Sequence, residues 1–147
     1  MTLNKALFSS NNANWETPDD LYDHLDKEFH FDFDPCPHNP TFDGLNVSWG
    51  SSNYINPPYN RAIRDWLLKA LKENKLSVFL LPARTDTRWM HDIVLPYADK
   101  IIFIKGRLKF KGALNSAPFP SMIVIFRQKD IPVNISHLIN KTKFSFD

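Results

Sequence analysis

Residues 76–82 read LSVFLLP, a continuous apolar run between polar flanks. A strand with one face in solvent alternates apolar and polar side chains, whereas a strand covered on both faces in a parallel sheet does not. The run therefore predicts a central strand that is buried on both faces. Before it, residues 63–71 place apolar side chains on one helical face, and Tyr54-Ile55 predicts a very short strand that precedes this helix.

The chain after this strand continues the alternation of helices and strands. An apolar helical face runs from Trp89 to Tyr97, and IIFIKGRLKF (101–110) and SMIVIF (121–126) predict two further strands. Those two are joined by a loop that contains Gly and Pro, which indicates an antiparallel C-terminal hairpin at one edge. The predicted fold class is α/β: a single compact Rossmann-like three-layer sandwich with a mostly parallel sheet.

The first third of the chain has a different organisation. Residues 1–14 are read as a flexible lead-in and residues 15–147 as one domain, in which the tail after residue 130 is ambiguous. Thr17 is predicted to cap a helix whose first residue is Pro18 and which ends near Glu28. The alternating sequence FHFDFD (29–34) then predicts a strand that leads into the turn-rich sequence DPCPHNP.

Composition narrows the class of protein. Of 147 residues, 43% are hydrophobic and 23% charged, the formal net charge is +2, and there is one cysteine. With no apolar run near 18 residues and no secretory signal, we expect a soluble cytoplasmic protein without disulfides. His38 and His91 lack Cys or carboxylate partners at metal-ligand spacing, so no metal site is predicted.

Two unusual turns follow predicted strands, at the sheet edge where α/β proteins bind ligands. One is Asp34-Pro35-Cys36-Pro37, and the other is Asn56-Pro57-Pro58-Tyr59. In the second, the prolines stiffen the backbone and leave carbonyls free to point at a ligand, beside the Asn56 amide. Tyr59 offers a flat face that stacks on a base. Two acceptors and one aromatic face suit an exocyclic amine on a planar ring; the alternative is a plain strand-to-helix turn.

The sequence Asn56-Pro57-Pro58-Tyr59 resembles the [NDS]PP[YFW] signature of amino-methyltransferases that use S-adenosylmethionine. The resemblance extends to the phage-type DNA N-6-adenine methyltransferase (Dam) family, whose motifs match from about residue 14 to residue 127. The matching stretches are WETP (15–18), DPC (34–36), DGL (43–45) with Trp49, LPARTDT (81–87), GRLKF (106–110) and SAPFPS (116–121).

This resemblance implies transfer of a methyl group from S-adenosylmethionine to the N6 amine of adenine in DNA, by base flipping and direct displacement, in an abbreviated methyltransferase fold. It makes Asn56, Pro57, Pro58 and Tyr59 the catalytic residues. No glycine-rich F-x-G-x-G loop follows Asp34, so the cofactor side is shortened. The residues that it assigns to the cofactor are Trp15, Thr17, Pro18, Asp34, Pro35, Cys36 and Asp43.

DNA is the expected partner, in the bacterial cytoplasm if the gene belongs to a phage or prophage, for instance within restriction-modification. Phosphate contacts come from basic side chains, and the candidates are Arg84, Arg88, Lys105, Arg107, Lys109 and Lys111. Two alternatives stay open. One is a methyltransferase that acts on RNA or on protein glutamine, and the other is an inactive DNA-binding or inhibitory protein that retains the fold.

Overall fold

The computed structural model describes residues 15–139, which build a four-stranded mixed sheet. The strands are β1 (Ser52–Ile55), β2 (Leu76–Pro82), β3 (Lys100–Phe103) and β4 (Ser121–Phe126). Their order across the sheet is β1-β2-β4-β3. The strand β2 therefore has a neighbour on each side, and Val78 to Leu81 are fully buried, as the apolar run predicted.

The expectation of a mostly parallel sheet is wrong. Only β1 and β2 run parallel, whereas β4 runs antiparallel to both β2 and β3. The chain leaves β3 through a loop rather than a helix, so β4 returns in the opposite direction and is inserted between β3 and β2. The antiparallel C-terminal hairpin is confirmed by the pairing of β3 with β4.

Within residues 15–139, four helical stretches accompany the sheet. They are α1 (Asp19–Phe29), α2 (Ile63–Glu73), a π-helical turn at Met90–Val94 that continues into α3 (Leu95–Tyr97), and α4 (Ile135–Ile139). The π-helical turn has a local cause. The Leu95 N–H donates to the Met90 carbonyl five residues back, and the next residue, Pro96, has no N–H and has a ring that clashes with the carbonyl four residues before it in a regular α-helix.

Helix α1 begins one residue later than predicted, and Thr17 is not its cap. The N-cap is Pro18, which has no side-chain hydrogen bond to offer, and the first-turn amide of Leu21 donates instead to the Asp20 carboxylate at 2.9 Å. The Thr17 hydroxyl turns towards the sheet, where it bonds to the Tyr54 hydroxyl at 2.7 Å. Helix α1 lies against the same sheet face, since Tyr22 packs edge-on against Tyr54 with ring centroids 5.2 Å apart.

Two predicted strands are shorter in the structure. Within FHFDFD only Phe33 forms a bridge, parallel to Asn53, and the Asp32 carboxylate accepts the amides of Ser51 and Ser52. The strand predicted over residues 101–110 ends at Phe103 in the structure. Gly106, three residues later, has a φ of +76°, which turns the chain out of the sheet.

Residues 104–120, called the basic segment below, therefore form a loop. Its ends stay tied to the sheet, since Ile104 N–H donates to the Ser121 carbonyl and Ala83 N–H to the Pro120 carbonyl. Between them, Ala117 N–H donates to the Leu108 carbonyl at 2.8 Å. Over residues 15–139 no helix is long and apolar enough to cross a membrane. The predicted lead-in, residues 1–14, and residues 140–147 lie outside the described residues.

Candidate active site

The two unusual turns follow neighbouring parallel segments, which are the isolated bridge at Phe33 and strand β1. Phe33 bridges Asn53 in parallel, and Tyr54 N–H donates to the Phe33 carbonyl at 3.1 Å. The turn at Asp34-Pro35-Cys36 follows directly after this bridge, and Asn56 follows directly after β1. Both turns therefore open on the same end of the sheet.

The Asn56 side chain is held at one end and open at the other. Its Nδ2 group donates to the Trp15 carbonyl and, at 3.1 Å, to Thr17 Oγ1. Its Oδ1 atom is buried and has no hydrogen-bond partner among residues 15–139. Because a buried polar atom without a partner costs about 1–3 kcal/mol, such an atom in a functional site calls for a ligand that donates a hydrogen bond to it.

Tyr59 lies in an aromatic cluster, defined as Trp15, Tyr59, Phe110 and Phe119. The Tyr59 ring is 5% exposed, and its hydroxyl donates to the Leu80 carbonyl at 3.0 Å. Phe110 and Phe119, both from the basic segment, pack edge-on against it with centroids 6.2 and 5.6 Å away. A base that stacks on Tyr59 must therefore displace at least one of these two rings.

The fourth member of the aromatic cluster, Trp15, is the first described residue of the chain. Trp15 packs against Phe110 and Phe119, each with ring centroids 5.3 Å away. Beside it, Lys111 N–H donates to the Glu16 carbonyl at 2.9 Å. The basic segment is thereby attached to the same short stretch, residues 15–17, that holds the Asn56 amide.

Asp34 is the most perturbed carboxyl group in the site. Burial raises the pKa of Asp34 from its ordinary 3.8 to about 6, although the hydrogen bond from Cys36 N–H to Asp34 Oδ1 opposes this rise. Burial and the nearby Asp34 also raise the pKa of the Cys36 thiol to about 12. The thiol is therefore protonated at neutral pH and is no nucleophile, whereas perturbed carboxyl groups of this kind are typical of functional sites.

Asp43 is exposed and bound within its own turn. Its Oδ1 accepts from Leu45 N–H at 3.0 Å, and its Oδ2 accepts from Asn46 Nδ2 at 2.6 Å. Both bonds are local, as in an ordinary Asx turn. The predicted cofactor contact of Asp43 stays a prediction.

The basic segment carries four of the six candidate DNA contacts, and all six cations are exposed. Within it, Lys111 is ion-paired with Asp19 at 3.2 Å and lies 3.9 Å from Glu16, whereas Arg107 Nη1 lies 3.5 Å from the Ala117 carbonyl. Burial raises the pKa of Tyr59 well above its ordinary value, and the charge of nearby Arg84 only partly opposes this rise. The described residues contain no group of three potential metal ligands.

Sequence reasoning missed three side chains of this site. Tyr54 was read only as a strand residue, although side chains two apart in a strand share one face, which places Tyr54 beside Asn56. Phe110 and Phe119 stood in the quoted motifs GRLKF and SAPFPS. Their aromatic character was the available signal, but their contact with Tyr59 depends on the path of the basic segment.

A family model described as DNA N-6-adenine-methyltransferase (Dam) matches residues 5–145. A search of curated proteins and a search of solved structures found no match.

Proposed function

Because this chain belongs to the DNA N-6-adenine-methyltransferase (Dam) family, we propose that it transfers a methyl group from S-adenosylmethionine to N6 of adenine in DNA. The observation that carries the proposal is the buried Asn56 Oδ1, which has no partner among residues 15–139. An exocyclic amine carries two hydrogens and so can supply the missing donor. The turn that bears Asn56 is also the signature by which the sequence resembles amino-methyltransferases.

Asn56 and Pro57 would hold the substrate amine. The N6 lone pair of adenine is delocalised into the ring, so the amine is a poor nucleophile. If Asn56 Oδ1 and the Pro57 carbonyl each accept one N6 hydrogen, the nitrogen becomes more pyramidal and its lone pair gains a fixed direction. Pro58 keeps this turn stiff, since its ring fixes φ. Positioning and electrostatics of this kind account for much of the rate enhancement in many enzymes.

S-adenosylmethionine, when bound, supplies a methyl group on a positively charged sulfur. Asp34, with Pro35 and Cys36 in the same turn, fits a polar or cationic group of that molecule, because an added donor would relieve the burial that disfavours its carboxylate. The Trp15 carbonyl and the Thr17 hydroxyl lie at the Nδ2 end of the Asn56 amide. We propose that these two residues and Pro18 also contact S-adenosylmethionine. In this proposal the β1–α2–β2 unit is the retained part of an abbreviated Rossmann-like fold.

Tyr59 would stack on the flipped adenine. A base inside a duplex cannot reach a buried pocket, so it must leave the stack. The rings of Phe110 and Phe119 pack against Tyr59 in this structure, and we propose that they move aside when the basic segment meets DNA. Lys105, Arg107 and Lys109 on that segment, with Arg84 and Arg88 near the same sheet end, are the proposed phosphate contacts.

The test is transfer of a tritiated methyl group onto unmethylated DNA. We expect incorporation by the wild type and a loss of at least about 100-fold in kcat for Asn56→Ala, the scale seen when one preorganised polar contact to the reacting group is removed. Equal rates for the two proteins would remove Asn56 from the mechanism.

Asn74→Gly is the matched control. Asn74 also has a side-chain amide with two hydrogen bonds, to the backbone N–H and carbonyl of Lys129, but it ends α2 at the other end of the parallel pair. Gly accepts its φ of +55°. This variant should lose stability and keep its rate below its unfolding temperature; a rate loss equal to that of Asn56→Ala would mean that Asn56 acts only through stability.

A further inference from the structure

The open Asn56 Oδ1 depends on how the other end of the amide is fixed. An asparagine amide has two hydrogens on Nδ2. In this structure one donates to the Trp15 carbonyl and the other to Thr17 Oγ1. Both donors are thereby satisfied, which leaves Oδ1 as the end of the amide that is open to a ligand.

Thr17 is itself held by Tyr54. Its Oγ1 lies 2.7 Å from the Tyr54 hydroxyl, so the three side chains form a chain of hydrogen bonds from Tyr54 through Thr17 to Asn56. A hydroxyl has one hydrogen and two lone pairs. Thr17 can therefore accept from Asn56 and still bond to Tyr54, whichever of the two hydroxyls donates.

Tyr54 is a rigid starting point for this chain of hydrogen bonds. Its side chain is 2% exposed and is packed by Tyr22 and Phe31, with ring centroids 5.2 and 5.3 Å away. Because it lies two residues before Asn56 on the same strand end, both side chains project from the same face. Burial also raises the pKa of Tyr54 above its ordinary value, so the phenol stays neutral and serves as a hydrogen-bonding group.

We infer that Tyr54 and Thr17 are positioning residues that hold the Asn56 amide with Oδ1 facing the substrate amine. This inference rests on the proposed function and assigns the Thr17 hydroxyl to Asn56, so that the expected cofactor contact of Thr17 comes from its backbone or its methyl group. It predicts that loss of either hydroxyl lowers kcat and leaves KM for DNA and for S-adenosylmethionine nearly unchanged. A contact to the bound cofactor would instead raise its KM.

The kinetic test compares Tyr54→Phe, Thr17→Val and Thr17→Ser. Tyr54→Phe and Thr17→Val remove a hydroxyl at almost constant shape, and we expect each to lower kcat about tenfold, because small misplacements of a catalytic group cost one to two orders of magnitude. Thr17→Ser keeps the hydroxyl and should restore at least half of the wild-type kcat. In an Asn56→Ala background Tyr54→Phe should cause no further loss.

Tyr22→Phe is the matched control, because it removes a hydroxyl from the ring that packs against Tyr54 without touching the hydrogen bonds to Asn56. It should keep the wild-type kcat. A loss equal to that of Tyr54→Phe, or a cofactor KM that rises while kcat is unchanged, would overturn the inference. If Tyr54→Phe does not fold, the Thr17→Val and Thr17→Ser pair decides the question.

A second measurement needs neither cofactor nor DNA. The Asn56 side-chain NH2 signals can be identified in nitrogen-15 NMR spectra by their absence in Asn56→Ala. We expect hydrogen exchange of one Nδ2 proton to be at least about tenfold faster in Thr17→Val, since a hydrogen bond worth about 1.4 kcal/mol corresponds to a factor of ten. Unchanged exchange overturns the inference. If the wild type shows this protection of the Nδ2 proton but transfers no methyl group, the positioning contact is present and the proposed function fails. The two failures are therefore distinguishable.

Discussion

Replacing Asp34 by Asn should stabilise the protein at neutral pH and have no such effect in acid. Burial holds the pKa of Asp34 at about 6, above its ordinary 3.8. Between these two values the folded chain binds more protons at this site than the unfolded chain, so the free energy of unfolding falls as the pH rises. Since one pKa unit corresponds to about 1.4 kcal/mol, the full difference corresponds to about 3 kcal/mol.

The contribution of Asp34 is therefore fully present below pH 4 and is lost as the pH rises through about 6. Asn is neutral at every pH, and its side-chain oxygen can still accept from Cys36 N–H, a bond of 2.9 Å in the structure. We expect Asp34→Asn to be up to about 3 kcal/mol more stable than the wild type at pH 8 and to differ little at pH 4.

Urea denaturation at pH 4, 5, 6 and 8 measures this difference. Asp99→Asn is a control of opposite sign: burial disfavours the Asp99 carboxylate, but hydrogen bonds from Arg127 N–H and Lys129 outweigh it and lower the pKa of Asp99. That variant should lose stability at neutral pH and keep this deficit down to pH 4, because the contribution of Asp99 is lost only below its ordinary pKa, as the pH falls through the lowered pKa of the folded state. A stability difference for Asp34→Asn that does not change with pH would refute the reasoning.

Three further predictions concern the aromatic cluster and the basic segment. Tyr59→Phe keeps the ring and loses the hydrogen bond to the Leu80 carbonyl. Urea denaturation should therefore show a free energy of unfolding that is lower by about 1–3 kcal/mol, while methyl transfer persists below the unfolding transition. A rate loss as large as that of Asn56→Ala would contradict a stacking role. Gly106→Ala meets no neighbour within 4 Å but must adopt a φ of +76°, so a loss of about 1–2 kcal/mol should appear in the same assay, and an unchanged stability would show that the turn relaxes freely. In DNA titrations at several salt concentrations, Lys109→Gln should reduce the slope of log K against log salt by about 0.9 if Lys109 contacts one phosphate. Lys111 is already ion-paired with Asp19, so Lys111→Gln should change the slope less. Equal slopes for wild type and Lys109→Gln would show that Lys109 makes no phosphate contact.

Strand β2 and the turn at Asn56-Pro57-Pro58-Tyr59 were predictable from local sequence. A run of seven residues in which only Ser77 is polar has few alternatives to a covered strand, and two consecutive prolines fix the backbone whatever surrounds them. The antiparallel closing hairpin was predictable because the loop before β4 contains Gly and Pro.

The antiparallel pairing of β4 with β2 was not predictable from local sequence. Helices alternate with strands only up to β3, and the insertion of β4 between β2 and β3 depends on pairing between distant residues. The sequence Thr17-Pro18-Asp19 has every local feature of a capped helix start. The Thr17 hydroxyl bonds instead to Tyr54 and Asn56, so a tertiary contact displaced a local one.

We propose above that this chain methylates N6 of adenine in DNA with the Asn56 amide as acceptor. The most direct measurement is mass spectrometry of nucleosides from unmethylated DNA, after incubation with S-adenosylmethionine and either wild type or Asn56→Ala, alongside RNA and protein substrates. We expect N6-methyldeoxyadenosine from DNA treated with wild type and at most about one hundredth of that rate with the variant. Methylation confined to RNA or to protein glutamine, or no methylated product from a folded wild-type protein, would contradict it.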